Sequence, residues 1–437
     1  MRNIFQRIPV RGYTGAKQTP QKLIFSAALI FLLLLPVVSA NAIDWGLQLN
    51  QTLFAAGSPG GSSDIQYSGT LIPWFSTPLG SPDKWTKGAI PGKLYLSAGM
   101  TILATSEYAD KTLFFIPELL RTELTWRMKA GHELRFGRMI YTDPIGFIAN
   151  GLFDGAGISF ALKNNILRAG IWYTGLLYKR NAGITMKDDD LFSYSEELNY
   201  RNFSGTYFAP RRLIMAIDWE NPYLVSWLRL KASFLCQFDF GGGDKYHSQY
   251  LAAKAVIPFK SFLFDFGGCF AMAQNSGVNK IMLAGELGAA WMLPTRLRDQ
   301  LKLTGKFTSG NHSGALAAFV PITTEPQGDI LQAKLSGLSV IRLEYTARPH
   351  DKISFNVASS YFILGDLNTY KGYPQNSSGQ MDGRLLGNEF SGRLVWSPFS
   401  DLQINLGGGI FLPSMGNASG NKNPLLSVDL NVALAIF

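Results

Sequence analysis

LKLTGKFTSG, residues 301–310, alternates: Leu301, Leu303 and Phe307 share one parity, and Lys302, Thr304, Lys306 and Thr308 share the other. In an extended strand these sets point to opposite faces. A sheet built this way separates an apolar medium from water by one backbone thickness. Either its apolar face packs on a second sheet, or the wall stands in lipid.

The same period recurs along the chain, in about 18 segments. In FLFDFGGCFAMA (262–273), Phe262, Phe264, Phe266, Phe270 and Met272 oppose Asp265. In LSVIRLEYTA (338–347), Ile341, Leu343 and Tyr345 oppose Arg342 and Glu344. Three central segments are expected at 166–180, 205–219 and 223–238. Short connections at 129–132, 163–165, 220–223, 259–261, 349–351 and 399–401 alternate with long polar ones at 181–204, 310–334 and 365–383. One connection, 79–92 with Pro82 and Pro91, breaks the alternation. Sorting of this kind belongs to an outer-membrane barrel, with short turns on one rim and long loops on the other. A soluble β-sandwich does not need it, and a β-propeller would show repeats that are absent here. In lipid only closure satisfies every amide of a sheet. The expected fold is therefore all-β, a transmembrane antiparallel β-barrel of about 18 strands, too wide to be filled by its own side chains.

The N-terminus agrees. Arg2, Arg7, Arg11, Lys17 and Lys22 precede the apolar run LIFSAALIFLLLLPVV (23–38) and the small residues SANA (39–42). This is the pattern of a cleaved signal peptide over 1–42, leaving 43–437 as the barrel. A retained membrane anchor is the alternative, but about 16 residues broken by Pro36 fall short of the roughly 20 a spanning helix needs. Without those five cations, 40 Lys+Arg fall to 35 against 31 Asp+Glu, so the formal charge drops from +9 to +4. No basic cluster suggests nucleic acid. Cys236 and Cys269 are the two cysteines, each inside a strand-like run, open to pairing or free. No ligand spacing calls for a metal or cofactor.

HELRFGRMIYTDPIGFIANGLFDGAGISFAL (132–162), with GR followed by FDG on the next strand, resembles the alginate-export family of outer-membrane porins. LLGNEFSGRLVWSPFSDLQINLGGGIFLP (385–413) resembles that family's closing hairpin. The resemblance implies an 18-stranded barrel conducting an anionic polysaccharide or smaller solutes. Two departures stand against it. Phe437 is one residue out of phase with the apolar face of the last strand, and Arg138 shares the lipid parity of Leu134 and Phe136 unless a bulge intervenes.

Parity places Arg121, Arg127, Arg135, Arg168, Arg229, Lys231, Lys254, Lys302, Lys306, Arg342 and Arg393 toward the lumen. The acids expected on that face include Glu344 and Glu389, with Glu123, Glu133, Asp218, Asp239, Asp265 and Glu286. Rings of Arg and Lys favour anions in a pore; alternatively, pairs such as Arg342/Glu344 and Arg393/Glu389 only stiffen and wet the wall. The tryptophans at 45, 74, 126, 172, 219, 227, 291 and 396 read as an interfacial girdle, Trp172 being the one best placed for the lumen. The acidic KDDD (187–190) reads as a solvated outer face.

Enzymatic chemistry finds little support: His132, His247, His312 and His350 sit in turns or at loop edges, and no nucleophile elbow is present. The expected function is passive diffusion of hydrophilic or anionic solutes. A transporter for hydrophobic ligands, plugged by 181–204 or 310–334, is the alternative. Expected partners are outer-membrane lipid, small solutes and, through the C-terminal strand, the barrel-insertion machinery.

Overall fold

The computed structural model describes residues 43–59, 64–80, 92–105, 114–128, 131–225, 227–275, 277–312, 316–367, 383–418 and 422–436. The expected signal peptide, Phe437, and Pro82 and Pro91 lie outside them. The strands are β1 (Asp44–Gly57), β2 (Asp64–Leu79), β3 (Gly92–Thr105), β4 (Phe114–Arg127), β5 (Glu133–Thr142), β6 (Asn150–Leu162) and β7 (Asn165–Tyr173). They continue as β8 (Arg212–Val225), β9 (Leu228–Asp239), β10 (Tyr246–Phe259), β11 (Phe262–Asn275), β12 (Val278–Met292) and β13 (Gln300–Thr308). A small hairpin, β14 (Pro326–Gln327) and β15 (Ala333–Lys334), interrupts the series. Then follow β16 (Leu338–His350), β17 (Ile353–Leu364), β18 (Leu385–Phe399), β19 (Leu402–Leu412) and β20 (Leu425–Ile436).

All except β14 and β15 form one 18-stranded antiparallel sheet. It closes through β1 and β20, from Leu47 opposite Ile436 to Gly57 opposite Leu426. Closure gives every barrel strand two neighbours, which is what lipid demands. Among the described residues no helix is long and apolar enough to cross a membrane.

Two expectations about the strands need correction. β7 stops at Tyr173 and β8 starts only at Arg212, because Thr174 turns the chain: its amide donates to Arg212 O (3.0 Å) and its hydroxyl accepts from Arg212 N (2.9 Å). The turn expected at 220–223 lies inside β8. There the ladder shifts between Asn221 and Val225, and the Asn221 side chain bonds Asn165 Oδ1 (3.0 Å) and Tyr223 N (3.0 Å).

The outer face is greasy: Leu53, Ile217, Phe234, Leu251, Leu287 and Val357 are each about half exposed. Burying such a surface in water-free surroundings is the barrel's reason to sit in lipid. Trp45, Trp126, Trp227, Trp291 and Trp396 are exposed at the rim of short connections, forming a one-sided girdle. Trp74 and Trp172 depart from the girdle and lie on the inner face, opposite Gly46 and beside buried Ile214 respectively. Cys236 and Cys269 are both free and on opposite faces of the wall.

Loops of the other rim turn into the barrel. Ile145, Phe147, Ile148 and Ala149 (between β5 and β6) and Phe319 and Ile322 (between β13 and β16) bury themselves against the inner faces of β9 to β12. That inner face supplies Leu235, Tyr250, Ala252, Cys269, Ala271 and Met282. Each fully buried Phe or Ile contributes about 1.5–3 kcal/mol toward holding the loops in place.

Candidate functional site

Polar anchors fix what burial gathers. The Asp143 carboxylate accepts from four loop amides, Ile145 (3.0 Å), Gly146 (3.0 Å), Ile148 (2.7 Å) and Ala149 (2.8 Å). Burial pushes this carboxyl above its ordinary range although those amides pull it down. Glu389, on β18, accepts from Asp329 N (2.6 Å), Ile330 N (3.0 Å) and Leu331 N (2.8 Å). Asp329 in turn takes both Arg342 nitrogens (3.1 and 3.0 Å) and the Ser391 hydroxyl (2.5 Å). The 309–337 connection is thus pinned to β16 and β18 and packs Leu331 and Ala333 on Phe362 and Phe411.

Above β8 and β9, buried Arg212 pairs with Asp239 and with Asp190 of helix α1 (Asp188–Ser195). Lys187 reaches the same Asp239 (2.8 Å). The KDDD segment is therefore a docking element for the 174–211 connection, with Lys187 and Asp190 engaged, and not a uniformly solvated face.

Arg138 keeps its outward parity, and no bulge rescues it. Instead the wall opens beside it: β4 and β5 pair only from Thr122/Arg138 to Arg127/Glu133, while β4 runs on to Phe114. Into that divergence the Arg138 guanidinium inserts, bidentate to Asp154 (2.8 and 2.7 Å), with Leu176 O (3.0 Å) and Leu119 O as further acceptors. Tyr207 donates to Pro117 O (2.7 Å) and Tyr200 to Phe115 O, so alternate carbonyls of the unpaired β4 edge are satisfied by side chains. Gly137 precedes at φ +104°, where a Cβ would lie 2.1 Å from Thr122 O. Gly137 and Gly155 are cross-strand neighbours. The GR and FDG motifs thus form one structural lock.

The expected lumenal residues share the parity opposite the exposed apolar side chains of their strands, from Arg229 near a short turn to Arg342 near the 309–337 connection. Arg121 bonds Glu123 (2.8 Å), and Arg135 lies 3.8 Å from Glu123 and 3.6 Å from Glu133. Arg127 reaches Glu133 only at 3.9 Å. Arg168 (3.0 Å) and Lys231 (3.5 Å) share Glu220, and Lys254 is held by Glu286 (2.6 Å) and Asp265 (3.5 Å). Arg342 pairs with Glu344 (3.0 Å) as well as Asp329. The expected Arg393/Glu389 pair does not form: Arg393 turns to Asp429 (3.3 Å) because Glu389 is consumed by the loop amides. Arg229, Lys302 and Lys306 make no ion pair among the described residues, Lys306 lying over the Phe147 ring at 5.8 Å.

Below Phe411 of β19, which the 309–337 connection covers, one sector carries no packed loop among the described residues. From the lower half of β19 through β20 to β1, β2 and β3, the inner face presents Asn405, Asn431, Thr52, Asn50, Thr70 and Thr101. Their side chains bond along the wall, Asn405 to Asn431 (3.1 Å), Asn431 to Thr52 (2.8 Å) and Thr70 to Thr101 (3.0 Å). Trp172 is no platform: it is buried against Tyr141 (4.4 Å between centroids). The histidines accept or meet local backbone groups, as His132 does from Ala161 N (3.2 Å) and His247 from Asp239 N (3.2 Å). The residue after His312 lies outside the described residues.

This architecture has counterparts among solved structures. The fold is that of a bacterial outer-membrane porin. Pseudomonas aeruginosa OccK11 (OpdR) superposes with TM-score 0.56 at 11% identity, over 90% of this chain and 96% of that one. OccK2 (OpdF) of the same organism, solved in complex with glucuronate, gives 0.57 at 12%, over 90% and 98%. Its OprD gives 0.54 at 13%, over 90% and 95%. No family model and no curated protein sequence matches the chain.

Proposed function

We propose that this porin-fold barrel is a passive channel for small hydrophilic solutes that favours anions. Solutes run along the Asn/Thr sector and past the ring formed by Arg121, Arg127, Arg135, Arg168, Arg229, Lys231, Lys254, Lys302, Lys306, Arg342, Glu344 and Arg393. The observation that carries the preference is the trio Arg229, Lys302 and Lys306, none of which makes an ion pair among the described residues. Unpaired cations in a narrow lumen raise local anion concentration. The likeness of 132–162 and 385–413 to alginate-export porins extends the reading to uronate-bearing solutes, and the glucuronate held by OccK2 points the same way. Glu389 drops out of the lining set, since its carboxylate is covered by the loop.

Reversal potentials of the refolded protein under a salt gradient test this. Anion selectivity that weakens when Lys302 and Lys306 become Gln is the expected result. Cation selectivity in the wild type would end the proposal.

A further inference from the structure

At the short-turn end of the open sector the wall changes character. Trp74 lies across Gly46, where a Cβ would come within 2.8 Å of the indole Cε2 and Cζ2. Gly46 therefore lets the indole lie flat against the barrel. Tyr95, on the next strand, is nearly parallel to it (15°), with centroids 6.0 Å apart. Arg121 covers the far side of that pair, 5.1 Å from the Tyr95 centroid. Beside the rings opens a cavity of about 560 Å³ whose lining includes Asp44, Trp74, Ser76, Lys93 and Tyr95.

Aromatic cover over a glycine stiffens a sheet, and that alone would explain Trp74. It does not explain Ser76. This side chain is 3% exposed, lines the cavity, and its Oγ has no hydrogen-bond partner among the described residues. A buried orphan hydroxyl is uncommon and calls for a visiting partner. Nor does cover require a carboxylate and an ammonium, from Asp44 and Lys93, at the same opening.

We propose that Trp74, Tyr95 and Ser76 form a pyranose-stacking subsite at the channel's inner mouth. The apolar face of a sugar ring lies on the indole, Ser76 and Asp44 meet its hydroxyls, and Lys93 favours a ring bearing a carboxylate. This rests on the channel reading only for the route by which the sugar arrives.

The test uses the refolded mature protein with glucose, glucuronate and, as an open-chain acid lacking the ring, gluconate. In planar bilayers, glucuronate and glucose are expected to interrupt the current and gluconate to do so much less. Trp74→Ala should weaken the interruption about tenfold, and Ser76→Ala a few-fold, with open-channel conductance retained. In parallel, glucuronate should change the tryptophan fluorescence of wild type but not of Trp74→Phe, a readout that needs no current. Sugar-dependent fluorescence without any current would leave the subsite standing and remove the channel. A conducting wild type that no sugar interrupts, or equal interruption in Trp74→Ala, overturns the subsite and leaves the channel. If Trp74→Ala fails to fold, Ser76→Ala and Trp74→Phe carry the same comparison.

Discussion

The upper inner face of β9 to β12 and the inner face of β20 to β3 belong to one wall yet do opposite things. The first offers Leu235, Tyr250, Ala271 and Met282 and is covered by Phe147, Phe319 and Ile322. The second offers Asn50, Thr52, Thr70 and Asn431, whose amides and hydroxyls bond one another sideways. A barrel this wide cannot fill itself, so its bore is set by which sectors attract chain and which attract water. Apolar inward residues recruit loops; beside the short uncharged polar ones no loop packs among the described residues.

Removing the recruited chain should have the largest effect. Replacing residues 316–334 by a short Gly/Ser linker is expected to raise single-channel conductance severalfold; unchanged conductance would mean that the connection does not narrow the bore. Next comes the lock beside the packed sector. Arg138→Ala leaves Asp154 without its bidentate partner and takes one donor from each of two backbone acceptors, Leu119 O and Leu176 O, and should cost about 3–4 kcal/mol, read as a lowered temperature of barrel unfolding by gel mobility. Glu389→Ala strips the acceptor from three loop amides and should loosen 325–337 by about 3 kcal/mol, seen as faster protease cleavage there and noisier current.

A smaller effect is expected from acid. Burial would raise the Asp329 carboxyl, but Ser391 and the Arg342 guanidinium hold it below its ordinary 3.8. Its folded value being depressed, the anchor is fully present above 3.8 and is lost as pH falls through the lower folded value. The component of the conductance noise that depends on Ser391 should therefore set in only in strong acid in the wild type, and at a higher pH in Ser391→Ala. The same onset in wild type and Ser391→Ala would contradict this assignment.

Much of the wall was legible because period two is a local property. β10, β11, β12 and β17 fall within a residue of where alternation alone puts them. The misplacements occur where alternation outlives the ladder, as in 174–180, or where an Asn-Pro pair mimics a turn, as at 221–222. The inner surface was legible by parity down to Arg121, Lys254 and Arg342, but partner choice was not. That Glu389 would abandon Arg393 depends on a loop some sixty positions away. A signal for the inward loops was present in Ile145, Phe147, Ile148 and ALAAFVPI (315–322): a solvated outer loop has no use for such residues. The resolution of Arg138 lay beyond reach, since only the divergence of β4 from β5 makes its outward parity tolerable.

The division of the bore can be read in one measurement. In a background with Cys236 and Cys269 replaced, single cysteines at Asn50→Cys and Ala271→Cys are treated with a charged, membrane-impermeant thiol reagent while current flows. Stepwise loss of current is expected at position 50 and no response at position 271. Equal block at both positions, or block at 271 alone, would show that the bore is not divided in this way.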